Sequence, residues 1–364
     1  MLTNVNGTLY FSAFDPAHGT ELWKSDGTDA GTVLVADITP GTASTSFTSL
    51  FNFNGILIFV ATTAANGAEL WRSDGTAAAT FLLKDINAGT ASSTPQQMCV
   101  VGSTLYFSAL VTSQGRELWR MDGTAAETVL VKDINPGTAN SSPQFLFNVN
   151  GTLVFTAIDG VHGQELWTSD GSSSGTILVK DINPGTASGA SGPIGIVDFV
   201  VFNGLLYFTG DDGIHNREIW VSDGSELGTT MVEDIAPGLG RGAGFGGGMI
   251  VAGSKLFFVG SDGVHGTEMW RVNYAPTASD DEYLVNEDQT LTVSGPGVLA
   301  NDSDLDNDVL SASLVVGPNH GQLNLQSDGS FTYVPDANFS GTDVFTYYPR
   351  DASRVALSPP SPSP

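Results

Sequence analysis

Four of the five histidines in this chain occupy one repeated position between two acidic residues. Each histidine follows an aspartate by three residues and precedes a glutamate by three residues, as in Asp159, His162 and Glu165. An imidazole beside a carboxylate can transfer protons or bind a metal ion, so the pattern predicts a chemical role. Stabilisation of a loop is the alternative, since a catalytic group is normally needed only once. The members of the set are Asp15, His18 and Glu21; Asp159, His162 and Glu165; Asp212, His215 and Glu218; and Asp262, His265 and Glu268.

A second repeated set of carboxylates ends a hydrophobic segment, as Asp181 ends the segment 176–181. Each of these aspartates could approach the glutamate of its own repeat. Two acids drawn together need a proton, a cation or a lysine to offset their repulsion. Calcium sites in every repeat and hydrogen bonds to loop amides are therefore two open explanations. The set comprises Asp37, Asp85, Asp133, Asp181 and Asp234.

Asp198 is the one carboxylate on a strand that we predict to line the axis of the fold. An acid in that position could bind an axial cation and take part in catalysis. The side chains of Gln96, Gln97 and Gln144 would supply further, neutral oxygens. An acid that faces channel water is the alternative.

A third group of candidate ligands lies in the acidic run 301–308, far from the histidines in sequence. The run places side-chain oxygens at alternate positions, as a calcium-binding loop requires. A solvated acidic turn is the alternative interpretation. The predicted ligands are Asp302, Asp304, Asp306 and Asp308.

The composition limits the possible partners and cofactors. The chain has 13 Lys and Arg against 39 Asp and Glu, a formal charge of −26. Such a field repels phosphate backbones and anionic membranes, so we expect no nucleic acid partner and no membrane insertion. Many oxygen ligands, few histidines and a single cysteine, Cys99, favour Ca²⁺ over zinc or copper. The sequence contains no HExxH or P-loop motif, no GxSxG in a nucleophile elbow and no GxGxxG directly after a strand, so water is the expected nucleophile of any enzyme.

All six tryptophans recur at intervals of roughly 50 residues, which is the repeat length of a β-propeller blade. Around each of the first five tryptophans the sequence reads as four short strands. Asn-Gly and Asp-Gly pairs mark the turns between them. We therefore predict an all-β protein with a six-bladed β-propeller over residues 1–274. The sixth blade is incomplete because its fourth strand is missing. The tryptophans are expected in the core between blades.

The repeated segment Glu-Leu-Trp-x-x-Asp-Gly-Thr resembles the ELWxxDGT-repeat family of secreted or surface bacterial proteins. It appears nearly intact five times, with Ile219, Ser172 and Ser225 as departures. The resemblance implies a propeller-like fold and an extracellular setting, and it implies no single activity. No signal peptide, with a basic region followed by an apolar segment, is visible at the start. We therefore expect that it has been removed or that the natural start lies upstream.

A composition change at Ala275 marks a second domain. The acidic and aromatic segments 280–288 and 328–333 look like the cadherin-like, Ig-like module of bacterial adhesins, which we expect over 275–348 as a small β-sandwich. Residues 349–364 depart from this style and are predicted to be a non-native or disordered tail. A chain that stops within a module is expected of a fragment of metagenomic DNA kept for an activity, which favours an enzyme.

These patterns favour a calcium-dependent hydrolase that acts on a lactone or another carboxylic ester, with a carboxylate or histidine base at the propeller mouth. Six-bladed lactonase and paraoxonase propellers use an axial calcium in this way, and this chain is similar to them only in blade number and acidity. A non-catalytic secreted adhesion module that binds glycan or protein is the second hypothesis. A polysaccharide-active enzyme is the third.

Overall fold

Each of the first five repeats folds into one antiparallel sheet of four strands in chain order. The computed structural model describes residues 1–190, 199–237, 240, 242, 243, 248–305 and 307–351. Chain order within a four-stranded sheet is the arrangement of a propeller blade, and we call these sheets blades 1 to 5. The strands are β1 Leu2–Val5, β2 Thr8–Asp15, β3 Gly19–Ser25 and β4 Val33–Ala36; β5 Ser46–Phe53, β6 Ile56–Thr63, β7 Gly67–Ser73 and β8 Phe81–Lys84; β9 Gln96–Val101, β10 Thr104–Val111, β11 Gly115–Met121 and β12 Val129–Lys132; β13 Gln144–Val149, β14 Thr152–Ile158, β15 Gln164–Ser169 and β16 Ile177–Lys180; and β17 Phe199–Phe202, β18 Leu205–Asp211, β19 Arg217–Ser222 and β20 Thr230–Glu233.

Asn-Gly turns join the first two strands of blades 1, 2, 4 and 5. In blade 4, Asn150 and Gly151 both have positive φ, at 50° and 86°. A two-residue turn of this kind matches the twist of the strands, and glycine adopts its second position without strain. The Asn-Gly pairs therefore fix the register of these hairpins, as the sequence predicts.

The Glu-Leu-Trp segment of each third strand packs into two core layers at once. In blade 3, Leu118 packs with Phe155 of blade 4, whereas Trp119 packs with Ile58 of blade 2. Successive side chains of a strand point to opposite faces, so one segment links both neighbours. Trp119, Trp167, Trp220 and Trp270 are only 6–8% exposed, which confirms the core prediction for these four, whereas Trp23 and Trp71 are partly buried.

The second strands of blades 2 to 5 are buried along most of their length. Each has five consecutive buried residues because sheets cover both of its faces. These strands make a rigid support from which the loops between second and third strands project. The loops carry the repeated histidines.

The second compact unit, Phe245–Pro364, begins with a sheet of three strands, which we call blade 6. Among the described residues this sheet has no fourth strand, as the sequence predicts. The rest forms a three-stranded and a two-stranded sheet around Val298, Leu299, Ala312 and Phe331, the small sandwich expected of a cadherin-like module. The strands are β21 Met249–Ala252, β22 Lys255–Gly260, β23 Glu268–Arg271, β24 Leu291–Val293, β25 Leu310–Val316, β26 Gly321–Leu325, β27 Phe331–Pro335 and β28 Thr346–Asp351.

The last strand of the module extends into the predicted tail. Residues 349–351 were expected in a non-native tail, but they belong to β28, where Pro349 pairs with Ala312. The backbone of this segment pairs within a sheet, so these three residues are ordered, and the non-native origin of the tail stays a prediction. The two compact units comprise residues 1–244 and 245–364, so that blade 6 falls in the second unit. Residues 352–364 lie outside the described part.

Helical structure in the described residues is limited to two 3-10 turns, Ala77–Ala79 and Gly297–Leu299. None of the described helices has the length and hydrophobicity needed to cross a membrane.

Candidate functional site on the loops between second and third strands

A tight Asp–His pair forms in the loop between β14 and β15 of blade 4. Oδ1 of Asp159 accepts hydrogen bonds from the backbone N–H groups of Val161 and His162, each at 2.9 Å. Oδ2 of Asp159 lies 2.7 Å from Nδ1 of His162. The aspartate therefore fixes both the loop backbone and the imidazole, and Nε2 is the ring nitrogen left for other partners.

The same arrangement recurs in the other three repeats that contain the histidine. In blade 5, Nδ1 of His215 lies 2.7 Å from Oδ2 of Asp212. The corresponding distance is 2.8 Å for His18 and Asp15 in blade 1. In blade 6 it is 2.6 Å for His265 and Asp262. The structure thus confirms that each predicted aspartate and histidine meet, and the pairs are equivalent local units.

Carboxylates raise the pKa of these imidazoles. The pKa of His162 is raised mainly by its hydrogen bond to Asp159 and further by the charge of Asp181. The pKa of His215 is raised in the same way by Asp212, with a further contribution from Asp234. Each of these histidines therefore lies within the electrostatic field of a second carboxylate, the aspartate that follows the fourth strand of its blade.

That second aspartate uses one oxygen and leaves the other without a donor. Oδ2 of Asp181 accepts from the backbone N–H of Gly185 at 3.3 Å, and Oδ2 of Asp85 accepts from Gly89 at 3.1 Å. Within the described residues, the buried Oδ1 atom of every aspartate in this set lacks a hydrogen-bond partner. A buried carboxylate oxygen without a donor is costly, so these atoms are candidates for a cation or an ordered water. They belong to Asp37, Asp85, Asp133, Asp181 and Asp234.

The repeated glutamates have a structural role instead. Glu117 is 0% exposed. Its Oε2 accepts from the N–H of Ile134 at 2.8 Å and from Oγ of Ser141 at 2.6 Å, and its Oε1 accepts from the N–H of Ser141 at 2.9 Å. One buried carboxylate thus ties the exit of β12 and the following loop to β11. For the glutamates, the structure thus shows the hydrogen bonds to loop amides that were one of the two explanations left open by the sequence.

The glutamates predicted as metal ligands are engaged in the same way. Glu21 accepts from Ile38 and Thr45, Glu165 from Ile182 and Gly189, and Glu218 from Ile235 and Gly242. Burial raises the pKa of Glu165 to about 8 and that of Glu218 to about 7. Glu268 begins β23 of blade 6, which has no fourth strand in the described structure to fasten.

The predicted axial site cannot be located, because Asp198 lies outside the described residues. Its proposed companions Gln96 and Gln144 begin the inner strands β9 and β13. Oε1 of Gln97 accepts a hydrogen bond of 3.3 Å from the backbone N–H of Phe145. The structure therefore gives Gln97 a partner in the neighbouring blade.

The acidic run of the module is largely occupied by protein donors. Asp308 lies 2.6 Å from Arg271 and 2.5 Å from Lys255, and the Arg271 guanidinium lowers the pKa of Asp308 to about 2. Asp302 accepts from the hydroxyl of Tyr347 and from the backbone N–H of Ser279. These two aspartates are thus engaged by protein groups, although a calcium loop was expected.

Oδ1 of Asp304 also accepts from protein, from the backbone N–H of Asp308 at 3.0 Å. Asp306 lies outside the described residues. Across the described part of the chain, no three side chains of His, Cys, Asp or Glu form a group that could bind a metal ion. The free Oδ1 atoms after the fourth strands are the feature that sequence reasoning missed, because their isolation depends on contacts distant in sequence.

Two family models match parts of the chain. Residues 54–188 match the model described as outer membrane protein assembly factor BamB, a PQQ-type repeat. Residues 273–358 match the bacterial cadherin-like domain. No curated protein matches the sequence.

Solved structures with similar folds include several hydrolases. A puromycin-hydrolyzing peptidase of Mycobacterium tuberculosis is 14% identical, with a TM-score of 0.40, and the match covers 74% of this chain and 42% of that one. Prolyl oligopeptidase B of Galerina marginata is 12% identical, with a TM-score of 0.45, over 87% and 52%. The β-propeller domain of the Trilobed protease of Pyrococcus furiosus is 10% identical, with a TM-score of 0.37, over 85% and 84%. The chain spans half or less of the first three matched chains.

Proposed function

We propose that the protein is a calcium-dependent hydrolase of a lactone or another carboxylic ester, and that it acts at the loops between second and third strands. The observation that carries this proposal is the Asp159–His162 pair, together with its equivalent Asp212–His215. In each pair the carboxylate engages Nδ1, so that neutral Nε2 can accept a proton from water. This is the arrangement required of a general base.

The chemistry follows from these atoms. Nε2 of His162 takes a proton from water as the water oxygen forms a bond to the ester carbonyl carbon. Asp159 stabilises the resulting imidazolium through Nδ1. The bond between the acyl carbon and the ring oxygen then breaks, and the imidazolium returns the proton to the departing alkoxide. A lactone would give an open hydroxy acid.

Calcium is proposed because buried oxygens without donors lie close to these pairs. The Oδ1 atoms of Asp181 and Asp234 are the carboxylate oxygens best suited to bind it, since the neighbouring glutamates already accept several hydrogen bonds. Calcium prefers oxygen ligands, and when bound it would polarise a carbonyl group. The net charge of −26 also favours a divalent cation.

The test is turnover of a lactone panel by the full chain, before and after EDTA treatment and with added calcium. Activity that disappears with EDTA and returns with calcium supports the proposal, whereas undiminished activity in EDTA excludes the calcium mechanism. Because the four pairs are equivalent, replacement by Gln of all four loop histidines should lower kcat/KM by about 10²- to 10⁴-fold. His320→Gln is the matched control, since His320 lies in the module and outside the loops.

A non-catalytic adhesion module is the second candidate, and the near-identity of the four Asp–His loops favours it. Equivalent groups at equivalent positions suit multivalent binding of a glycan or protein. The match to a bacterial cadherin-like domain agrees with such a role and with an extracellular setting. Glycan-array binding without turnover of any ester would favour this candidate over the hydrolase.

A further inference from the structure

We infer that Asn203 and, more slowly, Asn54 are sites of spontaneous deamidation, whereas the other Asn-Gly pairs are protected by contacts that the fold makes. The chain contains five Asn-Gly pairs, the sequence in which this reaction is fastest because glycine does not hinder attack by its own backbone nitrogen. The pairs begin at Asn6, Asn54, Asn66, Asn150 and Asn203.

The reaction needs no partner other than water. The backbone nitrogen of the glycine loses its proton and attacks Cγ of the asparagine, and the bond from Cγ to Nδ2 breaks with release of ammonia. Water then opens the resulting succinimide at either carbonyl, which gives aspartate or isoaspartate. A hydrogen bond to the side-chain amide, or one from the attacking N–H, should slow the first step because it must be broken first.

Contacts between blades restrain two of the four hairpin asparagines. Nδ2 of Asn6 donates to the carbonyl of Gly55 in blade 2 at 3.4 Å. Nδ2 of Asn150 donates to the carbonyl of Gly204 in blade 5 at 2.9 Å. Asn66, in a different loop, donates to Asp85 at 3.2 Å. These three amides are therefore restrained.

Asn54 and Asn203 lack this restraint within their own compact unit. Among the described residues of blades 1 to 5, neither side-chain amide has a hydrogen-bond partner. The sequence gives a reason for Asn54. The carbonyls that restrain Asn6 and Asn150 belong to Asn-Gly turns of the following blades, whereas blade 3, which follows Asn54, has a Gly102-Ser103 turn. All four hairpin asparagines are exposed, so exposure does not separate the two classes.

A second restraint, on the attacking nitrogen, separates Asn54 from Asn203. The N–H of Gly55 donates to Oδ1 of Asn52 at 3.0 Å, and Gly7 and Gly151 are restrained in the same way by Asn4 and Asn148. Val201 occupies the corresponding position before Asn203 and offers no acceptor. Within blades 1 to 5, Asn203 thus has neither restraint, Asn54 has one, and Asn6 and Asn150 have both.

The experiment is to incubate the full chain in mildly alkaline buffer and to follow each site by peptide mapping with mass spectrometry. We expect conversion of Asn203 to be several-fold faster than that of Asn6, Asn66 and Asn150, with Asn54 between them. In denaturant the five rates should converge, since all five sites have the Asn-Gly pair and the contacts of the folded state are then lost. Equal rates in the folded protein, or fastest conversion at Asn6 or Asn150, would overturn the inference.

Val201→Asn is a gain-of-protection variant that should slow conversion of Asn203 while the rate at Asn54 stays unchanged. Circular dichroism checks that the variant is folded. The ranking of sites in the unmodified chain tests the inference even if this variant does not fold. A Val201→Asn protein that folds and deamidates at Asn203 as fast as before would contradict the role assigned to the attacking nitrogen.

Discussion

The side-chain amide of Asn66 donates a 3.2 Å hydrogen bond to Oδ2 of Asp85, the aspartate that follows the fourth strand of the same blade. Asn66 stands where blades 1, 4, 5 and 6 have histidine. The contact shows that this loop position can reach the fourth-strand aspartate. It agrees with the influence of Asp181 on the pKa of His162. The two repeated sets of polar residues therefore meet in space, and this relationship gives the first prediction.

In calcium-free buffer, the imidazoles of the proposed general bases should titrate with a midpoint above the ordinary histidine pKa of about 6.5. Only neutral imidazole accepts a proton, and the carboxylates around His162 and His215 raise the pKa of both. The double variant Asp181→Asn, Asp234→Asn removes one carboxylate from each and should move the midpoint to lower pH. The measurement is the NMR pH titration of the imidazole signals without calcium, because calcium bound to Asp181 or Asp234 would offset the field of these carboxylates.

Asp133→Asn is the matched control for this experiment. Asp133 occupies the same position in blade 3, whose loop carries Gln114 in place of histidine. Asp133→Asn should therefore leave the midpoints of His162 and His215 unchanged. An unmoved midpoint in the double variant, or an equal movement in Asp133→Asn, would contradict the assignment.

Glu117 should make stability depend on pH. Burial raises its folded-state pKa to about 7, from an ordinary value near 4.5. The folded state then binds more protons than the unfolded state between these values, so the free energy of unfolding should fall as pH rises through this range. Glu117→Gln cannot ionise and should weaken this dependence. Urea unfolding at several pH values measures the change.

Glu127→Gln provides the comparison, because it makes the same chemical change at an exposed site of blade 3, where the side chain is 52% exposed. It should leave the slope of stability against pH unchanged. If Glu117→Gln and Glu127→Gln give the same slope as the unmodified chain, the buried carboxylate does not titrate as described.

Much of the fold could be predicted because its determinants are local and repeated. Asn150-Gly151 specifies a hairpin, the alternation in Glu165–Trp167 specifies a strand with two buried faces, and repetition makes each assignment reinforce the next. The pairing of Asp159 with His162 was likewise predictable, since three residues in a tight loop bring the two side chains together. The missing fourth strand of blade 6 was visible as an absent segment.

The use of the other carboxylates could not be predicted, because it depends on contacts between distant residues. Glu117 meets Ser141 across 24 residues, and Asp308 meets Lys255 across 53. No local pattern reports which backbone N–H will face which carboxylate oxygen. In the sequence, the repeated glutamates, the aspartates after the fourth strands and the acidic run 301–308 therefore look alike. In the structure, the glutamates are buried and accept hydrogen bonds from loops, whereas each aspartate after a fourth strand has one oxygen without a donor. Asp198 remains a prediction.

The leucine of the repeated segment should contribute strongly to stability. Leu166 is 0% exposed and packs with Leu206 and Phe208 of the next blade. Leu166→Ala leaves a cavity between two sheets and should lower the free energy of unfolding by about 2–5 kcal/mol. Leu227→Ala is the control, since Leu227 is 93% exposed and its loss should change stability by less than about 0.5 kcal/mol. Comparable effects of the two variants in urea unfolding would contradict the layered core.

Exposed aliphatic side chains next to the Asp–His pairs should affect the choice of substrate. Val161 and Ile214 directly precede His162 and His215 and are 60% and 71% exposed. The same Asx-type turn that fixes each imidazole directs the preceding residue into solvent. A lactone with a long acyl chain could cover these side chains, and each buried methylene would add about 0.8 kcal/mol to binding.

The double variant Val161→Ser, Ile214→Ser should therefore raise KM for long-chain lactones and leave KM for short-chain lactones nearly unchanged. Leu227→Ser is the control, because it removes a still more exposed aliphatic side chain from the Asp-Gly turn of blade 5. Steady-state kinetics over a series of chain lengths measures the effect. An equal rise in KM for short and long chains would indicate a disturbed loop rather than a lost apolar contact, and no rise for either would remove these residues from the binding surface.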